Sequence, residues 1–339
     1  MTNVAPKRRP TSADVARRAG VSRTTVSYVL NGRSEQGISE TTRRRVLSAV
    51  EELGYAPNAA ASTLRAGRSS VVLLPMWNLP SSPATDAYID HLSRELEERD
   101  LSLLIHGDRT ASGVEGARIW AALRPAAVLV DVARCPPDAA ELLHRAEIVT
   151  LLTFSTDPRA AHAPGLPEDL AAVARCAAQY LVDRGHRRLA SLVPGGELAD
   201  LGALRLDAVR EVADAAGVPV RRVDCELGTD SIAAAIASWS DPAVRPSAVY
   251  AYNDEFALAL IQVLRDNGLR VPEDIAVIGS GDFPMGSVLR PRLTTAHVPA
   301  DARAKAVATA VRRLLDGEGV DQDEVAAAVR PRLVVRESA

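Results

Sequence analysis

The sequence predicts a mixed α/β protein in which an all-α head precedes a larger body made of two lobes. Near the N-terminus, two short capped helical segments follow each other with a glycine between them. Beyond residue 70, short apolar runs alternate with alanine-rich helical stretches, which is typical of parallel sheets covered by helices on both faces. The length of 339 residues suits two or three domains.

Charge divides the chain in the same way as the helix and strand patterns do. The net charge is −3, but residues 1–70 hold 12 basic and 5 acidic side chains, whereas the remaining 269 residues hold 28 and 38. A basic head on an acidic body favours a polyanionic partner for the head, although a basic N-terminal tail alone would give the same asymmetry. The overall composition excludes a disordered, collagen-like or disulfide-rich chain.

The head begins with two short helices. Thr11 and Ser22 are good N-caps, and Gly20 ends the first helix before the second begins. Each helix has an apolar inner face, formed by Val15, Ala16, Ala19, Val26, Val29 and Leu30. Two short helices joined by a glycine turn predict a helix-turn-helix, whose second helix enters the major groove of DNA. The alternative is a capped helical hairpin with a solvated polar face.

The second helix presents Arg23, Thr24, Ser27 and Tyr28, with Thr25 at its flank. Arginine can donate two hydrogen bonds to guanine, and threonine can donate, accept or contact the methyl group of thymine. These side chains are therefore candidates for reading base edges.

A third helix is predicted to begin at Ser39 and to end at Gly54. Val46, Leu47, Val50 and Leu53 form its predicted apolar stripe. Its early turns carry Arg43, Arg44 and Arg45, which point around the helix, so that some suit phosphate contacts and others a solvated surface. Residues 58–67 predict a further short helix that is marginal alone and suited to form on a partner.

The body reads as alternating strands and helices. The strands are predicted at Val71–Leu74, Leu101–Ile105, Ala127–Val130, Ile148–Leu152, Leu189–Val193, Ala248–Tyr252 and Ile275–Ile278. The helices are predicted at Ala87–Arg99, Leu170–Arg184, Leu204–Ala216, Glu255–Asn267 and Ala302–Leu315. About 270 residues exceed one such sheet, so two lobes are expected, with a ligand cleft at the carboxyl ends of their strands.

Signatures of catalysis, metal binding and membrane insertion are absent from the sequence. It contains no phosphate-binding glycine loop, no G-x-S-x-G elbow and no histidine pair with metal spacing, so we expect no enzyme, no cofactor and no metal. The three widely spaced cysteines predict reduced thiols in a cytoplasmic protein. No apolar run approaches 18 residues and the N-terminus is polar, so neither a membrane span nor a secretory signal is expected.

The runs DVARRAGVSRTTVSYVLNG and TRRRVLSAVEELGYAPNAAASTLR closely resemble the lac repressor/purine repressor (LacI/GalR) family of bacterial regulators. The loop 32–38 is about two residues longer than in familiar members. The resemblance implies a head over residues 9–54, followed by a linker over residues 55–69 that contains a hinge helix. The hinge helices of the two chains of a dimer would pair in the minor groove, where Leu64 would intercalate as a wedge. The implied DNA-contacting residues are Ser22, Arg23, Thr24, Thr25, Ser27, Tyr28, Asn31, Ala60, Leu64 and Arg65.

The resemblance continues less tightly through YLVDRGHRRLASLVPG, SAVYAYNDEFALALIQVLRDNGLRVPEDIAVIG and PRLTTAHVP, with RLVVRES as the closing strand. It implies a body over residues 70–339 like that of periplasmic sugar-binding proteins. Such a body has two Rossmann-like lobes, here joined by crossovers near residues 168, 298 and 330.

Two residues fall on positions that contact the effector in that family, namely Arg205 and Asn253. Either could instead be structural, with Arg205 paired to a carboxylate of its lobe and Asn253 capping the following helix. Trp77 could stack on a ring of the effector or pack within its lobe. Sugar-responsive members carry an acidic residue at the position where this chain has Gly281, and Asp282 lies one residue further on. At a second position where the family has an acidic residue, this chain has Thr153. These departures leave the identity of the effector open.

The resemblance implies a homodimer that binds a near-palindromic DNA operator as a repressor. A small polar effector in the cleft would control this binding through the hinge helices. The last strand is not followed by a leucine heptad, which favours a dimer over a tetramer. The alternative function is a small-molecule sensor or carrier without specific DNA binding.

Replacing Leu64 with alanine is expected to weaken operator binding by about 1–3 kcal/mol, because the wedge that kinks the DNA is lost. A gel-shift titration at fixed salt measures this change, and calorimetry with the effector should show unchanged affinity. Unchanged operator affinity would contradict the role of Leu64 in the hinge.

Overall fold

The computed structural model describes residues 10–30, 38–55, 69–76, 82–155 and 162–339. The predictions for residues outside these ranges, including the hinge helix, concern residues that the structure does not describe. Contacts between Cα atoms divide the chain into two compact units, residues 1–69 and residues 70–339. No helix among the described residues is long and apolar enough to cross a membrane.

The first unit contains three helices, α1 (Ser12–Ala19), α2 (Arg23–Leu30) and α3 (Glu40–Leu53). Thr11 and Asp14 form a reciprocal capping box at the start of α1, and Gly20 ends this helix with a positive φ of 67°. The three helices pack around a small apolar core of Val15, Ala16, Ala19, Val26, Val29, Val46, Ala49 and Tyr55.

The apolar stripe of α3 differs from the predicted one at a single position. Leu47 is 45% exposed, and Ala49 is buried in its place. Because successive helical residues turn by about 100°, Val46, Ala49, Val50 and Leu53 share one face and Leu47 lies beside it. The prediction that Leu47 belongs to the stripe is therefore wrong.

The first lobe of the second unit is a five-stranded, all-parallel sheet in the order β2-β1-β3-β4-β5. Its elements run β1 (Val71–Pro75), α4 (Pro83–Glu97), β2 (Ser102–His106), α5 (Gly113–Ala122), β3 (Ala127–Asp131), α6 (Pro137–Arg145), β4 (Val149–Ser155) and β5 (Gly165–Pro167). Helices cover both faces, so the inner strands β1, β3 and β4 are runs of buried apolar residues, as the sequence predicts, whereas the edge strand β2 is largely exposed.

The second lobe contains a six-stranded sheet in the order β11-β10-β9-β8-β6-β7, in which only the pairing of β11 with β10 is antiparallel. Its first half comprises α7 (Ala172–Asp183), β6 (Leu189–Pro194), α8 (Ala199–Ala215), β7 (Val220–Cys225) and α9 (Thr229–Ile236). Its second half comprises β8 (Ala248–Tyr250), α10 (Asp254–Asp266), β9 (Ala276–Ser280), α11 (Pro284–Val288) and β10 (Thr294–His297), with the closing strand β11 (Arg332–Val334).

The chain passes between the two lobes three times. It leaves the first lobe after β5, returns after β10 to form α12 (Ala300–Leu315) and α13 (Gln322–Ala328), and leaves again to form β11. Ala304, Val307 and Val311 of α12 belong to the same core as Leu92 and Leu96 of α4, which places α12 in the first lobe. The lobes are therefore joined by three neighbouring segments rather than by one flexible linker.

Several short elements were not among the predicted ones. The strands β5, β7 and β10 and the helices α5, α6, α9 and α13 have three to ten residues each and carry weak periodicity. Strand β7 is an edge strand with exposed Arg221 and Arg222, so its sequence does not form an apolar run. The predicted two-lobed α/β architecture is nevertheless confirmed.

Candidate functional site

The polar face of α2 is a candidate nucleic-acid interface. Arg23 and Thr24 are exposed in the first turn, while Thr25, Ser27 and Tyr28 are half-buried along the same helix. Val26 and Val29 anchor the opposite face in the core of the first unit. The Ser22 Oγ accepts a hydrogen bond from the backbone N–H of Thr25 at 3.0 Å, so this cap fixes the direction of the exposed side chains.

The arginines of the first unit differ in how far carboxylates neutralise them. Arg18 of α1 pairs with Glu52 of α3, and Arg44 lies 3.7 Å from Glu40. Within residues 10–30 and 38–55, Arg23 and Arg45 have no ion-pair partner. A guanidinium without a carboxylate partner at the start of α2 is free to donate to a base edge or to phosphate.

Five of the predicted site residues lie outside the described residues. They are Asn31, Ala60, Leu64, Arg65 and Trp77. Their roles in the head, the hinge and the cleft stay predictions.

A cleft between the two lobes of the second unit is a candidate ligand site, with a volume of about 250 Å³. Several of the residues that line it lie at the carboxyl ends of parallel strands. Phe154 lies near the end of β4, Ser280 is the last residue of β9, and Tyr252 follows β8. This is the position at which open α/β sheets bind ligands. Arg205 and Asn253 both lie in the lining.

Arg205, on α8, is held by neutral oxygens. Its Nη1 donates to the carbonyl of Tyr252 at 2.7 Å and to the Ser280 hydroxyl at 3.3 Å, and its Nε donates to the carbonyl of Leu170 at 3.4 Å. The guanidinium carbon lies 4.7 Å from the centre of the Tyr252 ring. Among the described residues, no carboxylate is within ion-pair distance of Arg205. The alternative in which Arg205 pairs with a carboxylate of its own lobe is therefore not what the structure shows.

Asn253 lines the cleft and also caps α10. Its Oδ1 accepts the backbone N–H of Phe256 at 3.1 Å, and its Nδ2 donates to Glu255 at 3.3 Å. Asn253 therefore caps the helix, as the structural alternative predicts, and it also borders the cleft.

Asp282 is not among the residues that line the cleft. Its carboxylate accepts a hydrogen bond of 2.6 Å from Arg336, and its backbone has a positive φ of 53°. The structure therefore does not bring Asp282 together with Arg205 and Asn253, because the left-handed turn after β9 leaves its carboxylate paired with Arg336.

The wall of the cleft on the first lobe is organised by a buried ion pair. Glu168, which is 5% exposed, accepts a 2.6 Å hydrogen bond from the Nε of Arg303 and a 3.0 Å hydrogen bond from the backbone N–H of Phe154. The Arg303 guanidinium lies 4.1 Å from the Tyr88 ring and 5.4 Å from the Phe154 ring. Burial raises the pKa of Tyr88 although Arg303 opposes the shift, so this phenol is neutral.

On the second lobe, a buried carboxyl group is hydrogen-bonded to the backbone of a residue that lines the cleft. Asp254, at the start of α10, is fully buried and accepts hydrogen bonds from the Phe283 N–H at 2.6 Å and from the Thr295 hydroxyl at 2.7 Å. Burial raises the pKa of Asp254 to about 6, with Asp282 adding to the increase and the two hydrogen bonds opposing it. Asp254 thereby holds Phe283, which lines the cleft.

Sequence reasoning missed Tyr88, Phe154, Glu168, Tyr252 and Arg303. Phe154 and Tyr252 lie at or just after strand ends, where the rule for parallel sheets could have suggested them. Glu168 lies on a predicted crossover, so the sequence indicates where it lies but not that it pairs with Arg303. Tyr88 and Arg303 lie on helices, and only the packing of α4 against α12 brings them together.

Comparison with known proteins is decisive for the family. Residues 11–58 match the description "Bacterial regulatory proteins, lacI family", and residues 178–339 match a periplasmic binding protein-like domain. The HTH-type transcriptional repressor PurR of Vibrio vulnificus is 30% identical over 97% of this chain and 98% of its own. The HTH-type transcriptional regulator CelR of Thermobifida fusca is 32% identical over 98% and 99% of the two chains.

The chain belongs to the lacI family. It is a helix-turn-helix transcriptional regulator, as its sequence predicts. This lacI-family protein is also similar to solved structures along nearly its full length. A complex of the transcriptional regulator CelR with cellobiose has a TM-score of 0.61 at 29% identity, covering 98% of this chain and 100% of that chain. A lac repressor dimer bound to operator and an anti-inducer has a TM-score of 0.72 at 22% identity, covering 98% and 99%, which supports the fold.

Replacing Arg23 with alanine is expected to relax sequence preference at one operator position by about 1–3 kcal/mol, because a base-edge donor is removed. Selection of bound sites from random DNA measures this preference. Arg45→Ala is a matched control, since it removes the same charge from α3 and should weaken all sequences alike. If both variants select the same site as the unaltered protein, Arg23 does not read a base.

Replacing Asp254 with asparagine is expected to change the pH dependence of stability. Because the pKa of Asp254 in the folded protein exceeds its ordinary value, its ionisation costs stability as pH rises through 6, and this cost is absent below about pH 4. Asparagine carries no charge. Its Oδ1 can still accept from the Phe283 N–H, and its Nδ2 can donate to the Thr295 hydroxyl, which reverses the direction of that hydrogen bond. The variant should therefore gain about 1 kcal/mol more at pH 7.5 than at pH 5, relative to the unaltered protein.

Urea unfolding at the two pH values measures this difference. Asp266→Asn, at the exposed other end of α10, is the control. An equal effect of Asp254→Asn at both pH values would contradict the raised pKa.

Proposed function

We propose that this protein is a dimeric, effector-controlled transcriptional repressor that acts in the cytoplasm and has no catalytic activity. The observation that carries the proposal is a polar, carboxylate-free helix face in one unit together with a ligand-sized cleft between two lobes in the other. We assign the head to residues 9–54, the linker with its hinge helix to residues 55–69 and the body to residues 70–339.

Operator recognition is assigned to α2. Arg23 and Thr24 are its most exposed polar side chains, with Ser22, Thr25, Ser27, Tyr28 and Asn31 as the further candidates in and around the helix. Two heads related by a two-fold axis would bind two half-sites of a near-palindrome. Arginines of the head would contact phosphates and supply salt-dependent affinity, with Ala60, Leu64 and Arg65 in the minor groove.

Exposed apolar side chains on both lobes support a dimer. In the first lobe, the edge strand β2 exposes Leu104 and Ile105, and α5 together with the turn that follows it exposes Ile119 and Leu123. In the second lobe, α11 and the residue that follows it expose Met285, Val288 and Leu289. Apolar groups on an unpaired edge strand and on a short helix are typical of a surface that another protein covers.

The effector is assigned to the cleft, where Arg205 and Asn253 face it from the second lobe. Effector binding would change the relative orientation of the lobes and bias the hinge helices between an ordered and a disordered state. Such coupling typically amounts to about 1–3 kcal/mol. Among the relatives, CelR is solved in complex with cellobiose, which supports a small polar effector for this protein.

Selection of binding sites from the fragmented genome of the source organism, with the purified full-length protein, tests the proposal. The expected result is an inverted repeat that binds one dimer, measured by light scattering of the complex. Leu104→Glu should weaken the dimer and operator binding together, because it places a charge in the interface. Val244→Glu, at another exposed apolar site outside the two proposed patches, is the control. No enriched sequence, or an asymmetric site bound by one chain, would overturn the proposal.

A further inference from the structure

The two walls of the cleft are built alike, but only one of their two arginines is paired with a carboxylate. Each lobe stacks an arginine on a tyrosine, Arg303 on Tyr88 at 4.1 Å and Arg205 on Tyr252 at 4.7 Å. Arg303 is neutralised by the buried carboxylate of Glu168 at 2.6 Å. Arg205 has no such partner among the described residues and is bonded only to two carbonyls and a hydroxyl.

The position at which a carboxylate could reach Arg205 from β9 is closed. Ser280, which accepts from Arg205, is followed by Gly281 with a φ of 126°. A Cβ atom at position 281 would lie 2.3 Å from the Phe283 ring. Asp282, the next residue, is paired with Arg336. The backbone after β9 therefore offers a polar but uncharged surface to the guanidinium.

Two other carboxylates border the cleft in the described part of the chain. Asp169 is paired with Arg175 on α7. Glu255 is exposed to solvent and accepts from the Asn253 amide at 3.3 Å, and it forms no ion pair there. Neither carboxylate is within ion-pair distance of Arg205.

We propose that the effector carries a carboxylate or phosphate group that binds the Arg205 guanidinium, and that its ring packs between the aromatic side chains of the two walls. This inference rests on the proposed function of the cleft and names the chemical class of its ligand. The Nη2 of Arg205 has no acceptor among the described residues and supplies two donors for an anionic oxygen. Tyr88, Phe154, Tyr252 and Phe283 supply apolar surface for the ring.

A half-buried guanidinium with only neutral partners is costly, so an anion gains more there than a hydroxyl does. Hydrogen bonds to charged groups contribute about 1.5–3 kcal/mol, which corresponds to a preference of about tenfold or more for an anion over its neutral counterpart. The shared chemistry is the anionic oxygen of a ligand with a ring, which can come from a sugar acid, an aromatic acid or a sugar phosphate. Free phosphate has no ring and probes the anion contact alone.

Matched probes test the proposal with the full-length protein. We would titrate glucuronate, galacturonate, glucose 6-phosphate, benzoate and inorganic phosphate against the neutral compounds glucose, galactose and benzamide, and measure binding by calorimetry and thermal shift. At least one anion is expected to bind about tenfold more tightly than its neutral counterpart. Binding by the sugar acids, by benzoate or by the sugar phosphate distinguishes the three sources of the anion, whereas binding by phosphate alone contradicts the packing of a ring.

Variants assign the binding to Arg205. Arg205→Gln should lower the affinity for the anion about tenfold or more and bring it close to that of the neutral counterpart, whereas Arg205→Lys should retain part of the preference. Glu255→Gln should increase the affinity for the anion without changing that for the neutral probe, because a nearby negative charge is removed. Arg210→Gln, on the exposed face of the same helix, is the matched control and should bind as the unaltered protein does.

Three outcomes would overturn the proposal. They are a neutral probe that binds as tightly as its acid, an anion whose affinity is the same in Arg205→Gln, and a protein to which no anion binds, phosphate included, at concentrations up to about 50 mM. Gel shifts with the selected operator are run in parallel. If operator binding responds to a neutral sugar, the proposal of an anionic effector is refuted and the proposed regulatory function stands. If an anion binds but no operator sequence is found, the proposed regulatory function is refuted and the proposal of an anionic ligand stands.

Discussion

The buried hydrogen-bonded ion pair between Glu168 and Arg303 connects three parts of the body that the sequence places far apart. Glu168 lies on the first crossover, Arg303 on the helix that follows the second crossover, and the second oxygen of Glu168 holds the N–H of Phe154 at the end of β4. Removing one partner would leave an unpaired buried charge, which typically costs about 3–5 kcal/mol. The first-lobe wall of the cleft therefore depends on this one carboxylate.

This arrangement also explains how Phe154 keeps an unfavourable backbone. Its φ is 57°, in the left-handed region that side chains other than glycine rarely adopt. The hydrogen bond from its N–H to Glu168 and the contact of its ring with Arg303 offset that cost. The backbone conformation of Phe154 is thus linked to the segment about which the lobes would rotate.

Much of the fold follows from local sequence rules, because its long elements are strongly patterned. The caps at Thr11 and Ser22, the glycine after α1 and the apolar strands of both sheets were readable residue by residue. Leu47 is apolar and lies three residues before Val50, so the sequence places it on the buried face, whereas the structure buries the small Ala49 there. Strand β7 has no apolar run to predict it, because an edge strand need not be apolar. Of the cleft, Arg205 and Asn253 were recognised by resemblance, whereas the contact of Glu168 with Arg303 joins residues 135 positions apart and has no local signal.

The glycine at position 281 has a consequence for how ligand preference can change in this protein. Any side chain there collides with the ring of Phe283, and the φ of 126° disfavours it independently. An acid at position 281 therefore requires the ring at position 283 to move or to be replaced by a smaller side chain, in a turn that tolerates this φ. The two positions are therefore coupled, and a side chain at position 281 is expected to be tolerated better where position 283 carries a smaller side chain.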